Sequence, residues 1–93
     1  MAKASARHIL VETEDLCKEL IEKIIAGEEF TELAKQHSKC PSGRRGGDLG
    51  EFGPGQMVPE FDTVVFNKAV GTPHGPVKTD FGYHIVEITS RTE

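Results

Sequence analysis

Three side chains in this sequence have the chemistry to act on a substrate: the thiol of Cys40 and the imidazoles of His8 and His84. A thiol beside a histidine could be a nucleophile with its base, and two histidines that meet could share a proton. His8 and His84 fall in the first and last segments that read as strands. Each sits on a face with apolar residues, Leu10 for the one and Val86 and Ile88 for the other. If those strands are neighbours the rings could meet; two separate, hydrogen-bonded core histidines are the alternative. Cys40 precedes Pro41 at the opening of a glycine-rich stretch, and no Cys-hydrolase flank or oxyanion signature accompanies it. His37-x-x-Cys40 has the look of a metal pair. Structural zinc, however, wants four ligands and catalytic zinc three, at spacings absent here, so no metal is expected. The glycine run lacks the Gly-Lys-Ser/Thr of a phosphate loop, and no nucleotide or other cofactor is expected.

The stretch GGDLGEFGPGQMVPEF, residues 46 to 61, sets Leu49, Phe52, Met57 and Phe61 on a backbone that cannot be one ordinary helix or strand. Core packing explains any one of them. Together with Phe81, beside a thiol and two histidines, they read as the wall of a small apolar pocket with a few polar atoms at its floor.

Alternation in residues 4 to 11 (ASARHILV) predicts a strand covered on both faces. Thr13, followed by Glu14 and Asp15, reads as the N-cap of a helix closed by Gly27, with Leu16, Cys17, Leu20, Ile21, Ile24 and Ile25 as its apolar stripe. That stripe makes Cys17 a core residue. A second helix over about 28 to 38 carries Phe30, Leu33, Ala34 and His37 on one face. From Cys40 to Gly55, where six of the ten glycines lie, the sequence reads as a long shaped loop, with a short strand at 49 to 52. Pro59 opens a third helix with Phe61, Val64 and Val65 on its face. Residues 71 to 76 read as a turn, and PVKT (76 to 79) and YHIVEIT (83 to 89) as a hairpin through Asp80-Phe81-Gly82. The order β-α-α-β-α-β-β places the chain in the α+β class, one sheet with helices packed on it.

Length and composition agree with this. The 93 residues make one domain spanning 1 to 93, with 37% hydrophobic and 28% charged residues. Net charge is −4, and the 11 Lys and Arg are scattered, so nucleic acid is not an expected partner. No long apolar run or leader pattern is read, which predicts a soluble, cytoplasmic chain without membrane contact, and the opening Met1-Ala2 is read as that of a complete protein. Cys17 and Cys40 are expected as free thiols.

HILV at 8 to 11, CPSG at 40 to 43, RGGDLGEF at 45 to 52, GQMVPEFD at 55 to 62 and GPVKTDFGYHI at 75 to 85 resemble the parvulin family of peptidyl-prolyl cis-trans isomerases, above all its small single-domain bacterial form. The resemblance runs nearly the whole chain, in order. It implies a four-stranded antiparallel sheet wrapped by helices, with His8 and His84 as paired histidines and Cys40 beside the reacting amide. It implies Leu49, Met57 and Phe61 as the proline pocket, Phe52 and Phe81 as its neighbours, and Asp48 and Gln56 as matching positions without an assigned role. Partners implied are proline-containing peptides and unfolded or nascent proteins, met by a monomer. Phosphate-directed relatives carry basic residues after the first strand. Here Glu12, Glu14 and Asp15 stand there and would repel a phosphoserine. Arg44 and Arg45 are read as solvated loop charge, and Phe81 favours an apolar residue before proline. A non-catalytic proline-binding or chaperone-like module and a Cys-dependent hydrolase are the rival readings.

Overall fold

The computed structural model describes residues 3–57 and 59–92; Met1, Ala2, Val58 and Glu93 lie outside them. The elements follow the expected order: β1 (Lys3–Val11), α1 (Glu14–Ile25), α2 (Phe30–His37), a 3₁₀ turn (Pro41–Arg45), β2 (Asp48–Phe52), α3 (Pro59–Val65), β3 (Pro73–Thr79) and β4 (Gly82–Thr92). The strands form one antiparallel sheet in the order β2-β1-β4-β3.

Period-two alternation divides the sheet into two apolar faces. Ile9, Val11 and Ile85 point to one side, where they pack with Cys17 and Leu20 of α1 and Phe30, Leu33 and Ala34 of α2. Ala4, Ala6, Val86 and Ile88 point to the other, against Phe61 and Val65 of α3. The first strand is thus covered on both faces, as its sequence predicts. His8, Leu10 and His84 share the parity of the α3 face, and in the β1–β4 register Leu10 stands opposite His84 and His8 opposite Val86.

Local signals set the helix ends. The Thr13 hydroxyl accepts from the Leu16 amide, and the acidic first turn suits the positive end of α1. At the other end Gly27, at φ +107°, and Glu28 donate to the carbonyls of Ile24 and Lys23. These are the two bonds of a Schellman motif, which needs a left-handed residue where the glycine stands.

Three expectations are corrected. Ile25 ends α1 with 73% of its surface exposed, because the chain turns away from the sheet one residue later. β3 begins at Pro73, inside the stretch read as a turn: the register shifts between His74 and Val77, and proline is tolerated because β3 is an edge strand. β4 runs on to Thr92, its polar end paired with Lys3, Ala4 and Ser5.

Candidate active site

The site is built on the α3 face of β1 and β4. Their pairing brings His8 and His84 into contact, with Nδ1 to Nδ1 at 3.1 Å and the rings nearly parallel, 5.2 Å between centroids. Both are buried, and the Phe61 ring meets both edge-on, its centroid 5.4 Å from that of His8 and 4.7 Å from that of His84. A bond between two Nδ1 atoms holds one proton; charging both rings would leave two donors face to face. Burial therefore pushes each imidazole down to about 4, with His84 adding repulsion at His8 and Glu60 partly opposing the fall at His84. The pair is neutral at physiological pH.

Thr79 orders the pair. Its Oγ1 accepts from the Phe81 amide at 3.2 Å and lies 2.7 Å from His84 Nε2. Donation of the hydroxyl proton to Nε2 places the His84 proton on Nδ1 and makes His8 Nδ1 the acceptor. A rim residue, Phe81, is thereby connected through one hydroxyl to the histidines.

Ser38 does similar work for the thiol. Its hydroxyl accepts from the amides of Leu10 at 3.1 Å and Cys40 at 3.4 Å, while the Lys39 amide donates to the Leu10 carbonyl at 2.8 Å. The backbone that carries Cys40 is thus tied to β1 two residues from His8. On the other side of His8, the amide of that residue donates to the Gly47 carbonyl at 2.9 Å. Gly47 sits at φ +85°, and a Cβ there would lie 2.2 Å from the His8 carbonyl oxygen, so the approach admits only glycine.

The loop after β2 forms the remaining wall. The Gly53 amide donates to Gln56 Oε1 at 2.6 Å, and the Gly55 amide to Asp62 Oδ2 at 2.7 Å, which fastens the Met57 segment to α3. Between these elements lies a cavity of about 520 Å³, bordered by His8, Cys40, His84, Leu49, Met57, Phe61 and Phe81. That volume lies in the usual range for ligand sites. Phe81 is 72% exposed, an apolar ring offered at the rim.

The structure thus brings together every residue the sequence placed at the site except Phe52. That ring is buried in the α3-side core, edge-to-face with Phe66 at 6.2 Å, and does not border the cavity. The register explains it: Phe52 stands opposite Ala4, four residues from His8 along β1, about 13 Å at strand rise. Sequence reasoning missed Leu10, Gln56, Lys39 and Pro41 as lining residues, and Ser38 and Thr79 as supports. For Leu10 a signal existed, its parity with His8; for the two hydroxyl residues no local pattern marks the partner. Cys17 is confirmed in the core, its thiol pushed up to about 11 by burial and then by Glu14. Among the described residues, no three His, Cys, Asp or Glu side chains are grouped to hold a metal.

The arrangement has an apolar hollow, a thiol at its border and a neutral, hydrogen-bonded histidine floor. Comparison with known proteins gives the same direction. The family model described as rotamase, PPIC-type PPIase domain, matches residues 3–90. The chain is 49% identical over 92 residues to the foldase protein PrsA of Geobacillus sp. (strain WCH70), covering 98% of this chain and 33% of that protein. It therefore spans about a third of the length of the curated relatives it matches. Among solved structures, the peptidylprolyl isomerase PrsA from Bacillus anthracis superposes with a TM-score of 0.94 at 41% identity, covering 99% of this chain and 43% of that one. The parvulin NmPin of Nitrosopumilus maritimus superposes with a TM-score of 0.87 at 36% identity, covering 97% and 98%.

Proposed function

The chain belongs to the PPIC-type, or parvulin, family of peptidyl-prolyl cis-trans isomerases, and from that premise we propose that it accelerates rotation about X-Pro bonds in peptides and unfolded proteins. We further propose that it acts as a single domain, prefers an apolar X and does not require a phosphorylated one. The observation that carries the reading is the cavity, with Cys40 and the His8–His84 pair at its border.

Rotation about a peptide bond faces a barrier of about 18–20 kcal/mol, because resonance gives the C–N bond double-bond character. A roughly thousandfold acceleration needs only about 4 kcal/mol of transition-state stabilisation, and no covalent bond has to break. The pyrrolidine ring is held on Met57, Leu49 and Phe61 while the preceding carbonyl turns. Taking the amide out of water disfavours its charge-separated planar form. Cys40 meets the turning carbonyl, and the histidines hold the floor in one geometry. The thiol is not a covalent nucleophile here. Phe81 at the rim supports the apolar X, and Glu12, Glu14 and Asp15, standing after β1 where phosphate-directed relatives carry basic residues, support a reading in which no phosphate is required.

The test is NMR exchange on Ala-X-Pro-Phe peptides with X as Leu, Lys, Glu or phosphoserine. Faster cis-trans exchange, greatest for Leu, is expected. Binding without acceleration would make the domain a proline-binding module, and chain cleavage a hydrolase. Cys40→Ser should keep substantial activity; a silent variant together with a trapped thiol adduct would overturn the non-covalent mechanism. No helix of the described residues is long and apolar enough to cross a membrane. The cytoplasmic, monomeric setting read from the sequence remains part of the proposal, to be checked by cell fractionation and sedimentation.

A further inference from the structure

A second cleft, of about 490 Å³, shares Lys39, Cys40 and Pro41 with the first and continues to Lys35 in the last turn of α2 and Arg44 in the 3₁₀ turn. Among the described residues its lining holds three cations and no carboxylate, in a chain whose net charge is −4. The nearest acids are weak competitors. Glu12 lies 3.8 Å from Lys39 and Glu32 3.8 Å from Lys35, in pairs whose members are all more than half exposed. Arg44 has no ion pair among the described residues.

We propose that this basic cleft is a subsite for an acidic side chain, Asp or Glu, in the substrate segment flanking the X-Pro unit. A peptide lying in the first cavity passes Lys39, Cys40 and Pro41, and a neighbouring carboxylate then reaches Lys35 and Arg44 through the shared border. The apolar hollow selects the proline and X, while the cleft selects charge next to them and raises local concentration of acidic segments. This rests on the isomerase reading and adds to it the substrate's flanking charge.

The experiment scans Glu, Ala and Lys through the positions on either side of a Leu-Pro core and measures exchange by NMR. At one flanking position, Glu should give a kcat/KM about two- to tenfold above Lys, the range for one to three exposed charge contacts. The ratio should fall toward one between about 20 mM and 500 mM salt. Lys35→Glu with Arg44→Glu should abolish or reverse the preference and leave the all-Ala flanked peptide unchanged, since neither residue borders the first cavity. Lys35→Gln with Arg44→Gln, a milder pair, should remove it without reversal. Equal turnover of Glu and Lys peptides at every position, or a preference indifferent to these variants, overturns the subsite. If the all-Ala peptide is not turned over, the isomerase reading fails instead. Chemical-shift titration of the Glu and Lys peptides then still decides for or against the cleft.

Discussion

The two histidines carry a pH signature whose sign is fixed by their burial. Each imidazole titrates near 4 in the folded chain against an ordinary value of 6.5. Between these values the unfolded chain binds more protons, so this contribution to stability is complete above about pH 6.5 and is lost as pH falls toward 4. A fall from 6.5 to about 4 corresponds to roughly 3 kcal/mol per ring, so a loss of several kcal/mol is expected for the pair. Ring-proton NMR titration should show midpoints near 4, with exchange catalysis flat from about pH 6 to 8; midpoints near 6.5 would contradict the buried, proton-sharing pair. Met57 and Phe61 separate binding from structure. Met57 is half-buried at the cavity edge, so Met57→Ala should raise KM several-fold with little change in unfolding midpoint. Phe61 is 3% exposed and packs on both imidazoles. Phe61→Ala should weaken substrate binding and also cost about 3–5 kcal/mol, because it leaves a hole under the histidines.

Among the elements, the glycine-rich connection is where sequence and backbone agree for a physical reason. Gly47→Ala must relieve a Cβ against the His8 carbonyl as well as adopt φ +85°, so a loss of about 2–4 kcal/mol is expected in urea unfolding. Gly55→Ala adopts a similar φ, +84°, in open space and should cost only about 1–2 kcal/mol. Equal effects would mean the His8 approach is not what requires the glycine. Elsewhere in the chain, local signals carry only as far as neighbours in sequence. Thr13 and Gly27 marked both ends of α1 because caps are made by neighbours in sequence. The start of β3 was missed because glycine and proline read as a turn, and only its pairing with β4 makes that segment a strand.

At the scale of the whole molecule, the sheet separates two apolar clusters, one under α1 and α2, the other continuous with the site. Leu20→Ala in the first and Ile88→Ala in the second should each cost about 2–5 kcal/mol. That is a large share of the 5–15 kcal/mol expected for a domain. Both should keep one cooperative transition, since β1 and β4 contribute to both clusters, and Leu20→Ala should leave KM unchanged in the folded protein. Two transitions, monitored by far-UV CD and by the histidine signals, would show that the layers fold independently. An ion pair also crosses β1 and β4: Arg7 Nε donates to Glu87 Oε1 at 2.8 Å, and the guanidinium lies 4.7 Å from the centre of the Phe30 ring.

By itself the sequence determined the order of elements, most of the residues that face inward on them and the family resemblance. Those depend on periodicity, caps and motifs carried by adjacent residues. Tertiary structure alone decided which inward faces meet. His8 and His84 touch across 76 positions because β1 and β4 pair in one register. Phe52 leaves the site because its own register puts it opposite Ala4. Lys35, Lys39 and Arg44, scattered charges in the sequence, line one cleft because α2 and the 3₁₀ turn fold beside each other. Side-chain parity is a local property of the chain, whereas register and layer contact depend on partners distant in sequence, which no local pattern names.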